Sequence, residues 1–200
     1  NLGSNLKIMY RVLLPVVGSL FSVVAAGQTV IRPDPGVAAL VAAVSADSLA
    51  ADVHALVDFG TRHTLSSATN PHRGIGAARC WVLAKFQSYA VASHGRMTAR
   101  IDTWLQPADG RRINRAVEMG NVEAVIHGAD PGDDRVFIVT AHLDSRRLDV
   151  MDSTGVAPGA NDDASGVAAL LEMARILAAY PMKATVMLVA VTGEEQGLYG

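Results

Sequence analysis

Three groups of polar side chains in the second half of the chain combine one imidazole with several carboxylates and contain no thiol. In chain order they are His142 with Asp144, Asn161 with Asp162 and Asp163, and Glu194 with Glu195. Carboxylates crowded together without a partner raise one another's pKa and destabilise a fold, and a divalent cation removes that conflict. Mixed imidazole and carboxylate ligation suits zinc, and also manganese or cobalt. An excess of carboxylates over imidazoles favours two metal ions that share a bridging carboxylate.

The three groups belong to one predicted strand–helix–strand unit. The continuous apolar run 136–141 predicts a buried central strand that ends at His142, and the run 185–191 predicts a second buried strand. Between them, apolar residues at helical spacing predict a helix over 164–180 that Pro181 ends. Strands joined by such a helix run parallel, and ligands bind outside the carboxyl ends of parallel strands. The unit therefore predicts an α/β fold in which all three groups meet at one edge of the sheet.

The adjacent Glu194 and Glu195 are predicted to have different roles. Neighbouring side chains on an extended backbone point in opposite directions, so one carboxylate can ligate a metal while the other stays available as a base. Each group alone has an ordinary explanation, such as aspartates that complement the dipole of a helix N-terminus. The convergence of the groups favours a site, and Asp149 and Asp152 in the intervening loop are predicted to be surface residues.

The first half of the chain predicts elements without an evident chemical role. They are a helix from Ser45 to Gly60, a polar loop over 61–73, a helix from Gly74 to about Ala90 and a short strand over 122–126.

Composition excludes several classes of protein. The 200 residues are 50% hydrophobic and 18% charged, which excludes a disordered chain. The net charge of −2 provides no domain-wide basic field, so we predict no nucleic-acid partner. The short basic run with Arg111, Arg112 and Arg115 predicts a solvated loop, and the single Cys80 excludes an intrachain disulfide.

The N-terminal residues have the pattern of a secretory signal peptide. Lys7 and Arg11 precede an apolar run over 12–24, and small residues follow at 25–27. The run is shorter than the about 20 apolar residues of a transmembrane helix, so we predict no stable membrane anchor. An N-terminal core helix is the alternative. The leading prediction is a secreted or periplasmic protein cleaved near Ala26 or Gly27.

These patterns divide the chain into three predicted parts. Residues 1–27 form the signal peptide, within which 1–8 can be an extension upstream of a start at Met9. Residues 28–44, with the cluster Pro33-Asp34-Pro35-Gly36, are a predicted linker. Residues 45–200 contain the predicted α/β unit with the three polar groups.

The polar groups also carry a family resemblance. The segments 141–145, 157–166 and 193–200 resemble, in order and spacing, metallopeptidase family 28, which includes secreted bacterial leucyl aminopeptidases with two zinc ions. The resemblance covers roughly 47–200, and it implies that residues 45–200 are the N-terminal part of an incomplete zinc peptidase domain. It implies a mostly parallel mixed sheet flanked by helices, the fold of zinc-dependent exopeptidases. The segment 59–64 also resembles some secreted members, and we assign it no role.

The resemblance implies a role for each polar residue of the site. His142 would ligate one zinc ion, Glu195 would ligate the second, and Asp162 would bridge both. Glu194 would be the general base that takes a proton from metal-bound water.

Two further aspartates would support these ligands. Asp144 would hold the imidazole of His142 through its other nitrogen. Asp163 would shape the backbone after Asp162, to which similar enzymes join it by a cis peptide bond. Asn161 stands where some members have a third aspartate, which is not a ligand position.

The implied function is hydrolysis of peptide or protein substrates by a secreted zinc-dependent exopeptidase, with an aminopeptidase as the leading prediction. A zinc carboxypeptidase, a glutaminyl cyclase and a non-catalytic binding domain of the same fold are the alternatives. The presence of Glu194 favours an enzyme, because a binding domain needs no base. The family pattern has two further ligands, an Asp and a His, beyond Glu195, so we expect the chain to be an incomplete domain that is inactive alone.

Overall fold

The computed structural model describes residues 34–200, and the segment Leu40–Gly200 forms one compact unit. The predicted signal peptide, 1–27, lies outside the described residues. Helices and strands alternate in the second half of the chain, as the apolar runs predict. The helices are α1 (Pro35–Ala42), α2 (Ala46–Asp58), α3 (Ile75–Ala90), α4 (Ser165–Ala179) and α5 (Glu194–Gly197), and the strands are β1 (Met97–Gln106), β2 (Val117–Ile126), β3 (Val136–His142) and β4 (Thr185–Val191).

The predicted linker, 28–44, contains the helix α1 and is therefore not irregular throughout. Asp34 caps this helix, because its Oδ1 accepts hydrogen bonds from the backbone amides of Gly36 and Val37 at 2.7 and 3.1 Å. Pro35 suits the first position of a helix, where its missing amide hydrogen is not needed. The cluster around Pro35 thus begins a helix, although no side chain of α1 is buried.

The four strands form one mixed sheet in the order β1-β2-β4-β3. The strands β3 and β4 pair in parallel, with Ala141 opposite Ala190 and His142 opposite Val191, whereas the other two pairings are antiparallel. The helix α4 connects β3 to β4. This confirms the predicted strand–helix–strand crossover and the predicted α/β class with a mixed sheet flanked by helices. Within 34–200 the antiparallel pairings outnumber the parallel one, whereas the resemblance implies a mostly parallel sheet.

The prediction that the run 136–141 forms a buried central strand is wrong for the described residues. β3 pairs only with β4 within 34–200, and its side chains at Val136, Phe137 and Ile138 are 56%, 52% and 62% exposed. A continuous apolar run predicts burial on both faces, but burial also requires a neighbour on each side of the strand.

The hydrophobic core lies between the sheet and the helices α2, α3 and α4. Helical spacing places Val82 and Phe86 of α3 and Leu170 and Leu171 of α4 in this core, where they are fully buried or nearly so. The cap of α2 is a Ser45 side chain that accepts a hydrogen bond from the amide of Ser48, as predicted for a helix start.

Among the helices of 34–200 none is long and apolar enough to cross a membrane by itself, and only α1 and α2 taken together meet the length and composition criteria.

Candidate metal centre

Three of the predicted site residues meet at the carboxyl ends of β3 and β4. His142 is the last residue of β3, Asp162 lies in the kinked turn 160–164 before α4, and Glu194 begins α5. The His142 Nε2 atom lies 2.9 Å from Asp162 Oδ1 and 4.0 Å from Glu194 Oε2. The sequence argument that parallel strands bring these residues to one edge therefore agrees with their placement.

The imidazole of His142 is oriented by the backbone of Asp144. Its Nδ1 lies 3.0 Å from the Asp144 carbonyl oxygen and 3.8 Å from the nearer carboxylate oxygen. Nδ1 thus contacts the carbonyl group of Asp144, and its distance to the Asp144 carboxylate is longer than a hydrogen bond. When Nδ1–H donates to the carbonyl, the Nε2 lone pair faces Asp162.

The contact between His142 and Asp162 fits a bound cation. In the tautomer with Nδ1–H, both Nε2 and Oδ1 offer lone pairs, and two such atoms 2.9 Å apart need a shared proton or metal ion. Burial lowers the His142 pKa, but the carboxylate and carbonyl of Asp144 and the carboxylate of Glu194 outweigh it, and the net pKa is raised. The surroundings therefore favour positive charge at this position. Imidazole and carboxylate are also donors that zinc takes in proteins.

Asp144 is fully buried and organises the start of α5. Its Oδ2 accepts hydrogen bonds from the Thr64 hydroxyl at 2.8 Å and the Glu195 amide at 3.1 Å, and its Oδ1 accepts the Glu194 amide at 3.3 Å. Burial raises the Asp144 pKa, against the opposing effect of these donors. The buried carboxylate thus fixes the backbone of both glutamates.

Asp163 joins the end of β3 to the start of α4. Its Oδ2 accepts a hydrogen bond from the His142 amide at 3.2 Å, and its Oδ1 accepts one from the Gly166 amide at 2.8 Å. A Cβ atom at Gly166 would overlap the Asp163 carboxylate, which explains the glycine there. The peptide bond between Asp162 and Asp163 is cis, as the resemblance implies.

Glu195 lies apart from the other predicted ligands. Glu194 and Glu195 lie in the helical turn α5, so the expectation of an extended backbone at this pair is wrong. The Oε2 atom of Glu195 accepts a hydrogen bond from Arg146 Nε at 2.6 Å. Within 34–200 no group of three or more His, Cys, Asp and Glu side chains is arranged to hold a metal ion. His142 and Asp162 therefore contact each other, while Glu195 is paired with an arginine.

The predicted polar loop over 61–73 contains two residues that the sequence analysis did not assign. Arg62 and Thr64 are 1% and 2% exposed. Thr64 bonds to Asp144, 80 positions away, and Arg62 bonds to the segments that carry His142 and Asp162. No local pattern distinguishes such residues from a solvated loop, because their partners are distant in sequence.

The three arginines of the basic run are exposed, as predicted, and two of them also bond to backbone carbonyl groups. The Nη1 atom of Arg112 donates a hydrogen bond to the Glu195 carbonyl oxygen at 2.9 Å, and Arg115 Nη2 donates one to the Leu65 carbonyl oxygen at 2.6 Å. These bonds tie the loop between β1 and β2 to the surroundings of the site. Asp149 is exposed, as predicted, and Asp152 is partly exposed and pairs with Arg147.

Known proteins include relatives of this chain. Residues 121–200 match peptidase family M28. A probable zinc metalloprotease of Leptosphaeria maculans is 47% identical over 176 residues, which are 87% of this chain and 40% of that protein. The resemblance of the three segments to that family is thereby confirmed over residues 121–200.

Solved structures show the same fold. The glutaminyl cyclase of Porphyromonas gingivalis is 27% identical, with a TM-score of 0.59 over 78% of this chain and 50% of that chain. A Zn-dependent exopeptidase from Parabacteroides distasonis is 22% identical, with a TM-score of 0.58 over 76% of this chain and 48% of its own. The mixed sheet and its helices thus have the zinc exopeptidase fold, and the chain spans half or less of each of these proteins.

Proposed function

We propose that this chain, a relative of peptidase family M28 through residues 121–200, contributes part of the zinc site of an exopeptidase that removes N-terminal residues from peptides. One observation carries the proposal. The side chains of His142 and Asp162 face each other at 2.9 Å, and Glu194 lies 4.0 Å from the same imidazole nitrogen.

In this proposal His142 and Asp162 hold a zinc ion. Bound zinc lowers the pKa of a water molecule and polarises a carbonyl group. The Asp144 carbonyl oxygen keeps the His142 ring in the tautomer that ligates. Asp163 fixes the backbone beside both ligands through its bonds to the amides of His142 and Gly166.

Glu194 is the proposed general base. Its side chain is 39% exposed, and it makes no ion pair with an arginine or lysine among residues 34–200. Its backbone amide is held by Asp144, so the carboxylate extends from a fixed point. A carboxylate with an accessible oxygen can accept the proton of a water molecule and pass it to the leaving amine.

A second zinc ion would use Glu195, with Asp162 as the bridging ligand. Glu195 is 13% exposed at its side chain and pairs with Arg146, which is 32% exposed. The family resemblance supports the count of two zinc ions. Secretion after cleavage of residues 1–27 is part of the same proposal, supported by the sequence pattern of that segment.

A glutaminyl cyclase is the second candidate, because the Porphyromonas gingivalis cyclase is similar to this chain at 27% identity. The two activities differ in what happens to the substrate amino group. A peptidase releases the N-terminal residue. In the cyclase reaction, the amino group of an N-terminal glutamine attacks the side-chain amide of the same residue, and ammonia is released.

The test uses the full-length protein loaded with zinc. We expect hydrolysis of leucine anilide, loss of activity after chelation and recovery with zinc. An N-acetylated anilide is the matched control and should not be cleaved. Ammonia release from a glutaminyl peptide without anilide hydrolysis would replace the peptidase with the cyclase. Hydrolysis of peptides from the carboxyl end would identify a carboxypeptidase, and zinc binding without turnover would indicate a binding domain.

A further inference from the structure

We propose that Arg62 and Thr64, in the segment Thr61–Leu65, are positioning residues that set the geometry of the zinc ligands. This inference rests on the proposed function. Neither side chain bonds directly to His142, Asp162 or Glu194, so each would act through the groups that it holds.

The guanidinium of Arg62 bonds to backbone carbonyl groups only. Its Nε donates to the Leu143 oxygen at 2.7 Å, and its Nη2 donates to the Gly159 oxygen at 2.9 Å. Its Nη1 donates to the oxygens of Leu56 and Pro158 at 2.9 and 2.8 Å. One planar group with a fixed fork of donors therefore joins three separate segments of the chain.

Two of these segments carry the zinc ligands. Leu143 follows His142 directly, and Gly159 precedes Asp162 by three positions. The Arg62 fork thus sets the spacing between the end of β3 and the turn before α4. Gly159 has a φ of +49°, and a Cβ atom there would lie 2.9 Å from Arg62 Nη2 and 2.6 Å from the Asp162 carbonyl oxygen. Asp162, Ser145 and Arg62 together leave no room for a side chain at that position.

The backbone of Arg62 is fixed by the same region. Its amide donates a hydrogen bond to the Ser145 hydroxyl at 3.1 Å, and that hydroxyl donates to the Ala157 carbonyl oxygen at 2.8 Å. The Ser145 amide donates back to the Arg62 carbonyl oxygen at 3.4 Å. Main chain and side chain of Arg62 therefore connect the same two loops.

Thr64 acts on the other side of the site. Its hydroxyl donates to Asp144 Oδ2 at 2.8 Å, and the Asp144 carboxylate accepts the amides of Glu194 and Glu195. Without that hydroxyl the buried Asp144 carboxylate would lose one of its three donors. The Thr61–Leu65 segment thus touches the supports of all the proposed catalytic and ligand residues.

A purely structural role would predict lost stability without a specific effect on zinc. Burial lowers the Arg62 pKa to about 10, against the raising effect of the Asp144 and Asp163 carboxylates, so the group stays charged at neutral pH. Removing a buried charge or hydroxyl destabilises any fold. The experiment must therefore separate zinc affinity from stability.

The test compares four variants of the full-length protein. Thr64→Val removes the hydroxyl and keeps the shape, and Thr64→Ser restores the hydroxyl. Arg62→Lys keeps the charge and removes the fork. Ser93→Ala is the matched control. Ser93 is a buried hydroxyl that bonds to the Ala90 oxygen and the Met97 amide, and Met97 begins β1, far from the strand ends of the site.

The zinc dissociation constant is measured by chelator competition without substrate, and thermal unfolding is measured on the metal-free protein. We expect Thr64→Val and Arg62→Lys to weaken zinc binding by about tenfold or more, as for other groups that orient metal ligands. Thr64→Ser should bind zinc close to wild type. Ser93→Ala should lower the unfolding temperature and leave zinc affinity unchanged.

Each result decides the proposal. Wild-type zinc affinity in Thr64→Val would overturn the positioning role and leave the proposed function intact. An equal loss of zinc affinity in Ser93→Ala would do the same. Absence of zinc binding in the wild type would instead overturn the proposed function, and this inference with it. If Arg62→Lys does not fold, the comparison of Val and Ser at position 64 still decides.

Discussion

Glu172 on α4 and Glu195 on α5 each face an arginine, but the two pairs are built differently. Glu172 accepts two hydrogen bonds from Arg175, at 2.8 and 2.7 Å, and a third from the Ser45 amide at 2.6 Å. Glu195 accepts one bond, from Arg146 Nε. The first carboxylate has little capacity left for another partner, whereas the second keeps most of its oxygen lone pairs available.

The main chain of Glu195 has more side-chain partners than its carboxylate does. The Glu195 amide donates to Asp144, and its carbonyl oxygen accepts a bond from Arg112, so its main chain is held from two sides by side chains. A fixed main chain with a single side-chain partner suits a carboxylate that exchanges an arginine for a metal ion. A saturated pair such as Glu172 with Arg175 suits the joining of two helices.

Replacing Glu194, which faces no arginine, should have the largest effect, and that effect should be on turnover. Glu194→Gln should lower turnover by at least about 10²-fold, since that is the usual loss when a general base is removed. Zinc content should stay near that of the wild type, and both are measured on the zinc-loaded full-length protein. Glu118→Gln on the exposed face of β2 is the control and should leave turnover unchanged.

Replacing Glu195, the carboxylate that can exchange its arginine for a metal ion, should affect zinc occupancy instead. Glu195→Gln should lower the occupancy of one zinc site by about tenfold or more, because an amide oxygen is a weaker ligand than a carboxylate. Metal content after dialysis against micromolar zinc measures this. If Glu194→Gln loses zinc and Glu195→Gln keeps it, the two roles are reversed.

Replacing Glu172, whose carboxylate is saturated with hydrogen bonds, should change stability and leave zinc binding unchanged. Glu172→Gln should lower the free energy of unfolding by about 1–3 kcal/mol at pH 7, as expected for lost hydrogen bonds to a charged group. Arg175 lowers the Glu172 pKa, with a smaller contribution from the Ser45 amide. The contribution of a carboxyl with a depressed pKa is complete above its unfolded pKa of about 4.3 and is lost as the pH falls through the folded pKa.

Urea unfolding of wild type and Glu172→Gln at several pH values measures this dependence. The difference in unfolding free energy should be constant above about pH 5 and should shrink below about pH 4. A difference that grows toward acid pH would contradict the assigned cause.

Removing Arg146, the arginine that pairs with Glu195, should have the smallest effect. Arg146→Gln should tighten zinc binding by at most about fivefold, because a partly exposed ion pair contributes up to about 1 kcal/mol. Arg147→Gln is the matched control, since Arg147 pairs with Asp152 and not with Glu195. Weaker zinc binding in Arg146→Gln would show that the arginine supports the metal site.

The elements with local signals could be predicted from the sequence. The apolar run 185–191 corresponds to β4, and helical spacing located α3 to within one residue at its start. Exposure of β3 could not be predicted, because an apolar run contains no information about how many strands flank it. The position of a strand in a sheet depends on partners elsewhere in the chain.

The same limit applies to the site. The meeting of His142, Asp162 and Glu194 follows from a parallel crossover, which is a general property of α/β sheets. The contacts of Arg62 and of Arg146 with Glu195 do not follow from any such rule. They depend on side-chain packing between segments that lie about 50 to 97 positions apart.

The bonds of Arg62 also bear on the order of events during synthesis. Its acceptors Leu143 and Gly159 lie 81 and 97 positions further along the chain. At typical elongation rates of about 5–20 residues per second, Arg62 leaves the ribosome roughly 4 to 20 s before them. Closing loops of this length is slow compared with forming a hairpin such as β1 with β2. The guanidinium therefore spends this interval hydrated, and it can be buried only after both ligand-bearing segments have emerged.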